Sequence, residues 1–332
     1  MTLGKKGRDM TIETSPFLTT VEPVCPPDLL ERAQSNEAPR IAIANAGSDI
    51  PMQAAFEATK LGIMTPVFTG VKADICRLAD RLSWDISDYP LIEAGDELSA
   101  GSAAATACGD GRADILMKGD IHSDVFLRAA LAKDAGLRTG ARLVHIFHMS
   151  HPNGGHPLLI SDGAMNVAPD VETKQSVVRE MTALLHRLGN PRPKIAFLSA
   201  TETPIASVPS SVVAHELCEW ATSTIENADF SGPLALDLVL SRQAADIKGL
   251  TENPVAGLAD GVIVPDIVSG NVLFKSLVYL TGACAAGVIT GAKVPLLLTS
   301  RADPPSARLA SIALAVVASD KSKPPKHSAS AV

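Results

Sequence analysis

Short apolar runs alternate along the chain with longer stretches of helical periodicity. Arg40-Ile41-Ala42-Ile43-Ala44 reads as a buried strand. Asn45 to Asp49 turns it into a helix around Gln53 to Lys60, with Ser48 or Asp49 as N-cap. Thr65 to Gly70 and Leu91 to Glu93 predict two further strands, Ser99 to Cys108 an alanine-rich helix, and Asp114 to Gly119 a fourth strand running into a loop. Leu143 to Met149, Leu158 to Asp162 and Lys194 to Ser199 are strand-like again. Val177, Val178, Met181, Leu184, Leu185 and Leu188 recur at helical spacing before a terminating Gly189. Val212 to Ile225 predicts a helix, and Leu234 to Leu240 a strand–helix junction carrying Asp237. Val262-Ile263-Val264 is a buried strand ending at Pro265-Asp266, followed by a helix with Asn271 and Lys275. Val294 to Leu298 is the last strand, and it ends in the polar burst Thr299-Ser300-Arg301-Ala302-Asp303. Leu309, Ile312, Ala313, Val316 and Val317 mark a final amphipathic helix. This alternation predicts an α/β fold, with a mostly parallel sheet and helices on both faces.

Composition narrows the picture. The 332 residues leave room for two α/β domains, at about 100–200 residues each. Aromatics make up only 4%, so small-residue helix packing is expected to carry the cores. A net charge of −7 with no basic stripe speaks against a nucleic-acid groove. Five scattered cysteines without a CxxC pair indicate neither a zinc site nor a disulfide framework, and fit a reducing cytoplasm. The opening MTLGKKGRDMTIETSPF lacks the apolar region of a signal peptide. No run reaches the ~18 apolar residues of a membrane span. Polar composition predicts loose tails over residues 1–20 and 320–332.

In open α/β sheets, ligands sit beyond the carboxyl ends of strands. Asp266 with Asn271 from one strand, and Ser300, Arg301 and Asp303 from another, are expected to meet in one such crevice. An arginine fork suits phosphate oxygens, which points to a small phosphorylated substrate. The competing readings are bland: Ser300 as a helix cap, Arg301 in a surface ion pair, Asp266 and Asn271 as turn stabilisers. Lys118, Asp120, His122, Asp124 and Arg128 form a further polar loop–helix, which a solvated helix start would also explain. The cluster His145-x2-His148-x2-His151-x4-His156 raises a metal site. Alternate residues of a strand face opposite sides, so His145 and His148 should point apart, and no metal is assigned.

The phrases SGPLALD (231–237), VPD-x3-GN-x3-K (264–275) and LLLTSRAD (296–303) resemble the phosphate acetyltransferase and phosphate butyryltransferase family. So do MKGDIHSDVFLRAAL (117–131) and LLISDGAMNVAPD (158–170), and the likeness spans residues 40–318 with the motifs in order. SRAD rather than SRG looks closer to the butyryltransferase branch. The resemblance implies a fold like that of isocitrate and isopropylmalate dehydrogenases: a two-domain, three-layer αβα arrangement with mixed, mostly parallel sheets and a cleft between domains. Domain I would comprise 21–144 plus 288–319, and domain II 145–287. It implies a homodimer, and direct attack of a CoA thiolate in acyl-CoA + phosphate = acyl phosphate + CoA. Coenzyme A is then a substrate, with no permanently bound cofactor, nucleic acid or membrane partner. Ser300, Arg301 and Asp303 would be catalytic; Arg128, Asp237, Asp266, Asn271 and Lys275 would bind substrate.

Two departures stand out. Acetyltransferases of the family carry an aspartate seven residues after the motif serine, proposed as the base for the thiol, and here that place is Ala307. Asp303 is then the candidate base. The cysteine of their D-C-A-V-N phrase is matched by Gly163. Ala307 motivates a rival reading as a catalytically silent CoA- or phosphate-binding partner. A metal-dependent NAD dehydrogenase of the same fold is a second rival, for which Asp260 and Asp266 alone supply too few acidic ligands.

Overall fold

A computed structural model describes residues 15–300 and 302–320. Residues 1–14 and 321–332 of the expected tails, and Arg301, lie outside the described residues. The chain begins α1 (Pro27–Gln34), β1 (Arg40–Ala44), α2 (Asp49–Lys60), β2 (Thr65–Gly70), α3 (Lys72–Arg81), β3 (Leu91–Glu93), α4 (Glu97–Gly109), β4 (Ile115–Lys118) and α5 (Ser123–Ala130). It continues with β5 (Val144–Ser150), β6 (Leu158–Ser161), α6 (Val171–Arg187), β7 (Lys194–Leu198), α7 (Pro209–Thr224), β8 (Asp229–Leu234), α8 (Leu236–Leu240) and α9 (Arg242–Ile247). It closes with β9 (Gly261–Ile263), α10 (Ile267–Thr281), β10 (Cys284–Thr290), β11 (Leu296–Leu297) and α11 (Pro305–Ser319).

The strands form one sheet of eleven, in the order β3-β2-β1-β4-β11-β10-β5-β6-β9-β7-β8. Side-chain alternation assigns its two faces. Ile41 and Ile43 of β1, Ile115 and Met117 of β4, and Ile195 and Phe197 of β7 enter one core with α1, α2, α6, α7 and α11. The residues between them face the other side. Ala42, Ala44 and Leu116 pack under α4 and α5, and Ala196 packs with Leu238, Ala245 and Leu273 of α8 to α10. The result is the expected three-layer α/β arrangement. The small residues of α4 allow close helix packing: a Cβ on Gly101 would come 2.8 Å from Ile121 Cδ1. Truncating a fully buried core side chain such as Ile43 costs about 2–5 kcal/mol.

Strand direction decides where the motifs go. β2, β1, β4 and β11 are parallel. β10 runs antiparallel to both β11 and β5, and β6 antiparallel to β5. β9 and β7 then follow β6. The carboxyl ends of β1, β4 and β11 therefore lie at one end of the sheet, and those of β6, β9 and β7 at the other. The elements expected from the pattern do not include β10, α1 or α3. Cys284-Ala285-Ala286-Gly287 lacks the β-branched residues that favour strands, yet β10 pairs with β5 along all seven of its residues. The histidines behave as strand alternation requires. His145 packs on Phe147 at 4.2 Å between ring centroids, while His148 points with Ile146 to the opposite face.

Candidate active site

Three parallel strands deliver polar residues to one end of the sheet. The loop after β1 is tied to its neighbours: Ala46 N–H donates to Thr69 O at 2.8 Å and Asn45 Nδ2 to Asp120 O at 2.6 Å. The loop after β4 crosses directly over it, with Gly119 N–H donating to Ala44 O at 3.0 Å and Asp120 N–H to Asn45 O at 2.8 Å. A Cβ on Gly119 would sit 2.3 Å from Asn45 O, so only glycine allows this crossing. The two clamped loops and the turn after β11 border a narrow open cleft, lined by Ser48, Lys118, Asp120, Thr299, Ser300 and Arg308 among others.

The cleft sets two buried cations and several donors against one exposed carboxylate, that of Asp120. Lys118 and Arg308 are only 7% and 8% exposed. The first turn of α2 adds the N–H groups of Asp49 and Ile50, Pro51 having none, and Ser48 makes no side-chain cap to them. The turn after β11 is self-bonded: Ser300 N–H donates to Asp303 Oδ2 at 2.7 Å and Ala302 N–H to Ser300 Oγ at 3.2 Å. Arg308 Nη1 donates to Asp303 O. Burial pushes the Asp303 carboxyl above the usual carboxylate range, opposed by the Ser300 N–H and by the Arg308 charge. Pro304, not Ser300, is the N-cap of α11, which carries no side-chain cap. The capping explanation for Ser300 therefore fails.

The sheet's opposite end holds the other motif residues. Asp162 is buried and accepts four bonds: from Ala164 N–H and Met165 N–H at 2.9 Å, Asn166 Nδ2 at 2.7 Å and His145 N–H at 3.2 Å. Asp266 caps α10, its Oδ1 accepting from Ser269 N–H at 2.8 Å. Asn271 Nδ2 donates to Gly163 O at 3.2 Å. Gly270 abuts the same loop, since a Cβ there would lie 2.6 Å from Asp162 O.

The expected single crevice for Asp266, Asn271 and Ser300 is thus not formed, because β9 runs opposite to β11. Asp237 lies beyond β8 at the sheet edge, paired to Lys248 at 3.0 Å. Arg128 is exposed on α5, paired to Asp124 at 3.1 Å, and Lys275 is exposed on α10. Ser300 and Asp303 are brought together as expected. Arg308 was not singled out from the sequence. Its one signal there is that it is the only charge between Asp303 and Asp320.

Comparison with known proteins bears on the reaction. A family model described as "Phosphate acetyl/butaryl transferase" matches residues 93–316. The chain is 38% identical over 292 residues to a phosphate acetyltransferase of Rhizobium meliloti, covering 87% of this chain and 92% of that one. It is 33% identical over 291 residues to a phosphate butyryltransferase of Clostridium acetobutylicum, covering 87% and 96%. A solved branched-chain phosphotransacylase from Enterococcus faecalis superimposes with a TM-score of 0.73 at 31% identity, covering 84% and 98%. A 4-hydroxythreonine-4-phosphate dehydrogenase from Klebsiella pneumoniae shares the fold alone, at a TM-score of 0.55 and 11% identity over 85% of this chain and all of that one.

Proposed function

The chain belongs to the phosphate acetyl/butyryl transferase family, and from that premise we propose that it moves a short acyl group, acetyl to butyryl, between coenzyme A and inorganic phosphate at the cleft beside Ser300. The observation that carries this placement is a pair of buried cations, Lys118 and Arg308, facing the hydroxyl-bearing turn Thr299-Ser300. In the direction of acyl phosphate synthesis, a phosphate oxygen attacks the thioester carbonyl carbon. The C–S bond then breaks, and coenzyme A departs as thiolate with the electron pair and takes up a proton. In reverse, the thiolate attacks the acyl phosphate carbonyl and phosphate leaves. An ordinary thiol has a pKa near ~8.5, so a base assists this direction. Asp303 fits that role, because its raised pKa makes its carboxylate a stronger base than an exposed one. Ser300 Oγ–H donates to the carbonyl oxygen as charge grows there, and the cations neutralise the phosphate. Arg301 joins them on the strength of the family motif. Arg128 and Lys275 remain candidates for the outer parts of coenzyme A. A homodimer and a cytoplasmic location belong to the same proposal. Among the described residues no helix is long and apolar enough to cross a membrane.

The test is phosphate-dependent release of free thiol from acetyl-, propionyl- and butyryl-CoA, with Ser300→Ala and Arg301→Ala alongside. Release that needs phosphate and falls about 100-fold in either variant is expected, the loss typical of removing one donor to a developing oxyanion. Folded protein that binds coenzyme A yet releases no thiol from any acyl-CoA would instead make it a silent binding partner.

A further inference from the structure

Arg308 is buried without the partners that would explain its burial. No ion pair among the described residues includes it. Its guanidinium, which has five N–H donors, gives Nη1 to the Asp303 carbonyl, while Nε has no partner. A buried charge in this state is costly unless something completes its hydrogen bonds. The surroundings offer donors to an acceptor of several bonds, with the Asp120 carboxylate at their exposed margin. The amino end of the twelve-residue α2 opens on the same cleft without a side-chain cap, Lys118 lines it, and Thr299 and Ser300 border it. The Asp303 carboxylate is turned onto Ser300 N–H rather than onto the guanidinium. Ala307, at the place where the family's acetyltransferases carry an aspartate, is packed into the core. The first turn of α11 therefore supplies a cation to the cleft, and no carboxylate.

We propose that Arg308 is a substrate-binding residue whose free guanidinium N–H groups, together with the amino end of α2, hold the phosphate that is transferred. A tetrahedral phosphate accepts bonds from several directions at once and matches an arginine fork. This rests on the phosphate acyltransferase reading above. Two sources of phosphate share this chemistry, the inorganic substrate and the phosphates of coenzyme A, and the proposal commits to the former.

The experiment combines steady-state kinetics with calorimetric titration of inorganic phosphate in the absence of acyl-CoA, on wild type, Arg308→Met and Arg308→Lys. Arg308→Met is expected to raise the KM for phosphate by about 30-fold or more, the scale of a charge-assisted bond, while the KM for butyryl-CoA stays within twofold. Arg308→Lys should fall between, and phosphate binding by calorimetry should weaken in step. A folded variant with unchanged phosphate KM overturns the proposal, as does a rise confined to the acyl-CoA KM, which would hand the site to coenzyme A. If Arg308→Met does not fold, Arg308→Lys decides on the same criteria. Phosphate binding that needs Arg308 in a protein without turnover would leave the site standing and remove the acyltransferase reading. Turnover with an unaltered phosphate KM would do the reverse.

Discussion

The two ends of the sheet carry similar sets of motif residues and use them differently. At the end formed by β6 and β9, Asp162, Asn166, Asp266 and Asn271 are bonded to backbone, and Asn166 also to Asp162. Asp162 and Asn166 tie the loop after β6 to the start of β5, and Asn271 fastens α10 to that loop. At the end formed by β1, β4 and β11, the polar groups line a cleft, and a buried guanidinium keeps an N–H without a protein partner. The cleft separates the two more than saturation does, since His145 Nδ1 and Thr290 Oγ1 at the first end are also buried without a partner. A polar side chain whose bonds are all met by the protein holds the fold, and one left incomplete in a cavity is ready for a ligand.

The sharpest way to break this contrast is Asp162→Ala. It would strand donors in a buried loop, at about 1–3 kcal/mol for each unsatisfied group, so a loss of at least about 3 kcal/mol is expected in urea unfolding. The KM for phosphate in the protein that remains folded should not change. A kinetic defect at intact stability would put Asp162 in the chemistry after all. Ser300→Ala should show the opposite pattern, slow but stable.

Much of this architecture is legible from residue pattern. The strands at Arg40–Ala44, Thr65–Gly70 and Lys194–Leu198 and the helix over Val177 to Leu188 follow directly from apolar runs and their period. Ser300 and Asp303 are likewise found at a strand's carboxyl end. What the pattern reading omits is β10, whose Ala285-Ala286-Gly287 start masks the short β-branched run Val288-Ile289-Thr290 although the whole strand is paired. That omission has a large consequence, because β10 belongs to the set of reversals that turns β9 against β11. Without it, Asp266 and Ser300 would face one crevice. Arg308 is hidden for a related reason. A lone arginine just before the run Leu309 to Ala318 looks like the polar face of an amphipathic helix, and only the packing of α11 on β10 shows that this position is interior.

Protonation sharpens the contrast at intermediate scale. His145 lies beside Asp162, and His148 faces Asp28 and His156 on the other side of the sheet. Burial lowers both imidazoles from 6.5 to about 4, with the nearby aspartates opposing the shift in each case. The unfolded chain takes up these protons near pH 6.5 and the folded chain only near 4. Their contribution to stability is therefore fully present above pH 6.5 and is lost as pH falls toward 4. The slope is up to about 1.4 kcal/mol per pH unit for each imidazole. His145→Gln should flatten the stability profile between pH 6.5 and 4.5 relative to wild type. Parallel profiles would mean that His145 is charged in the fold or still solvated.

The smallest effect is expected at Asp237, although it sits in one of the most recognisable phrases of the chain. Its carboxylate faces solvent beyond the edge strand β8 and shares Lys248 with Glu202, at 3.0 and 2.8 Å. Lys248 N–H bonding and charge hold its pKa below the ordinary value, yet exposed pairs of this kind are screened by water and salt. Asp237→Asn should leave the melting temperature, the phosphate KM and the acyl-CoA KM unchanged within error at 0.15 M salt. A raised acyl-CoA KM would show that substrate reaches the far edge of the sheet. The motif would then mark a part of the binding surface remote from the cleft, and saturation by a protein partner would no longer separate holding residues from binding ones where that partner is exposed.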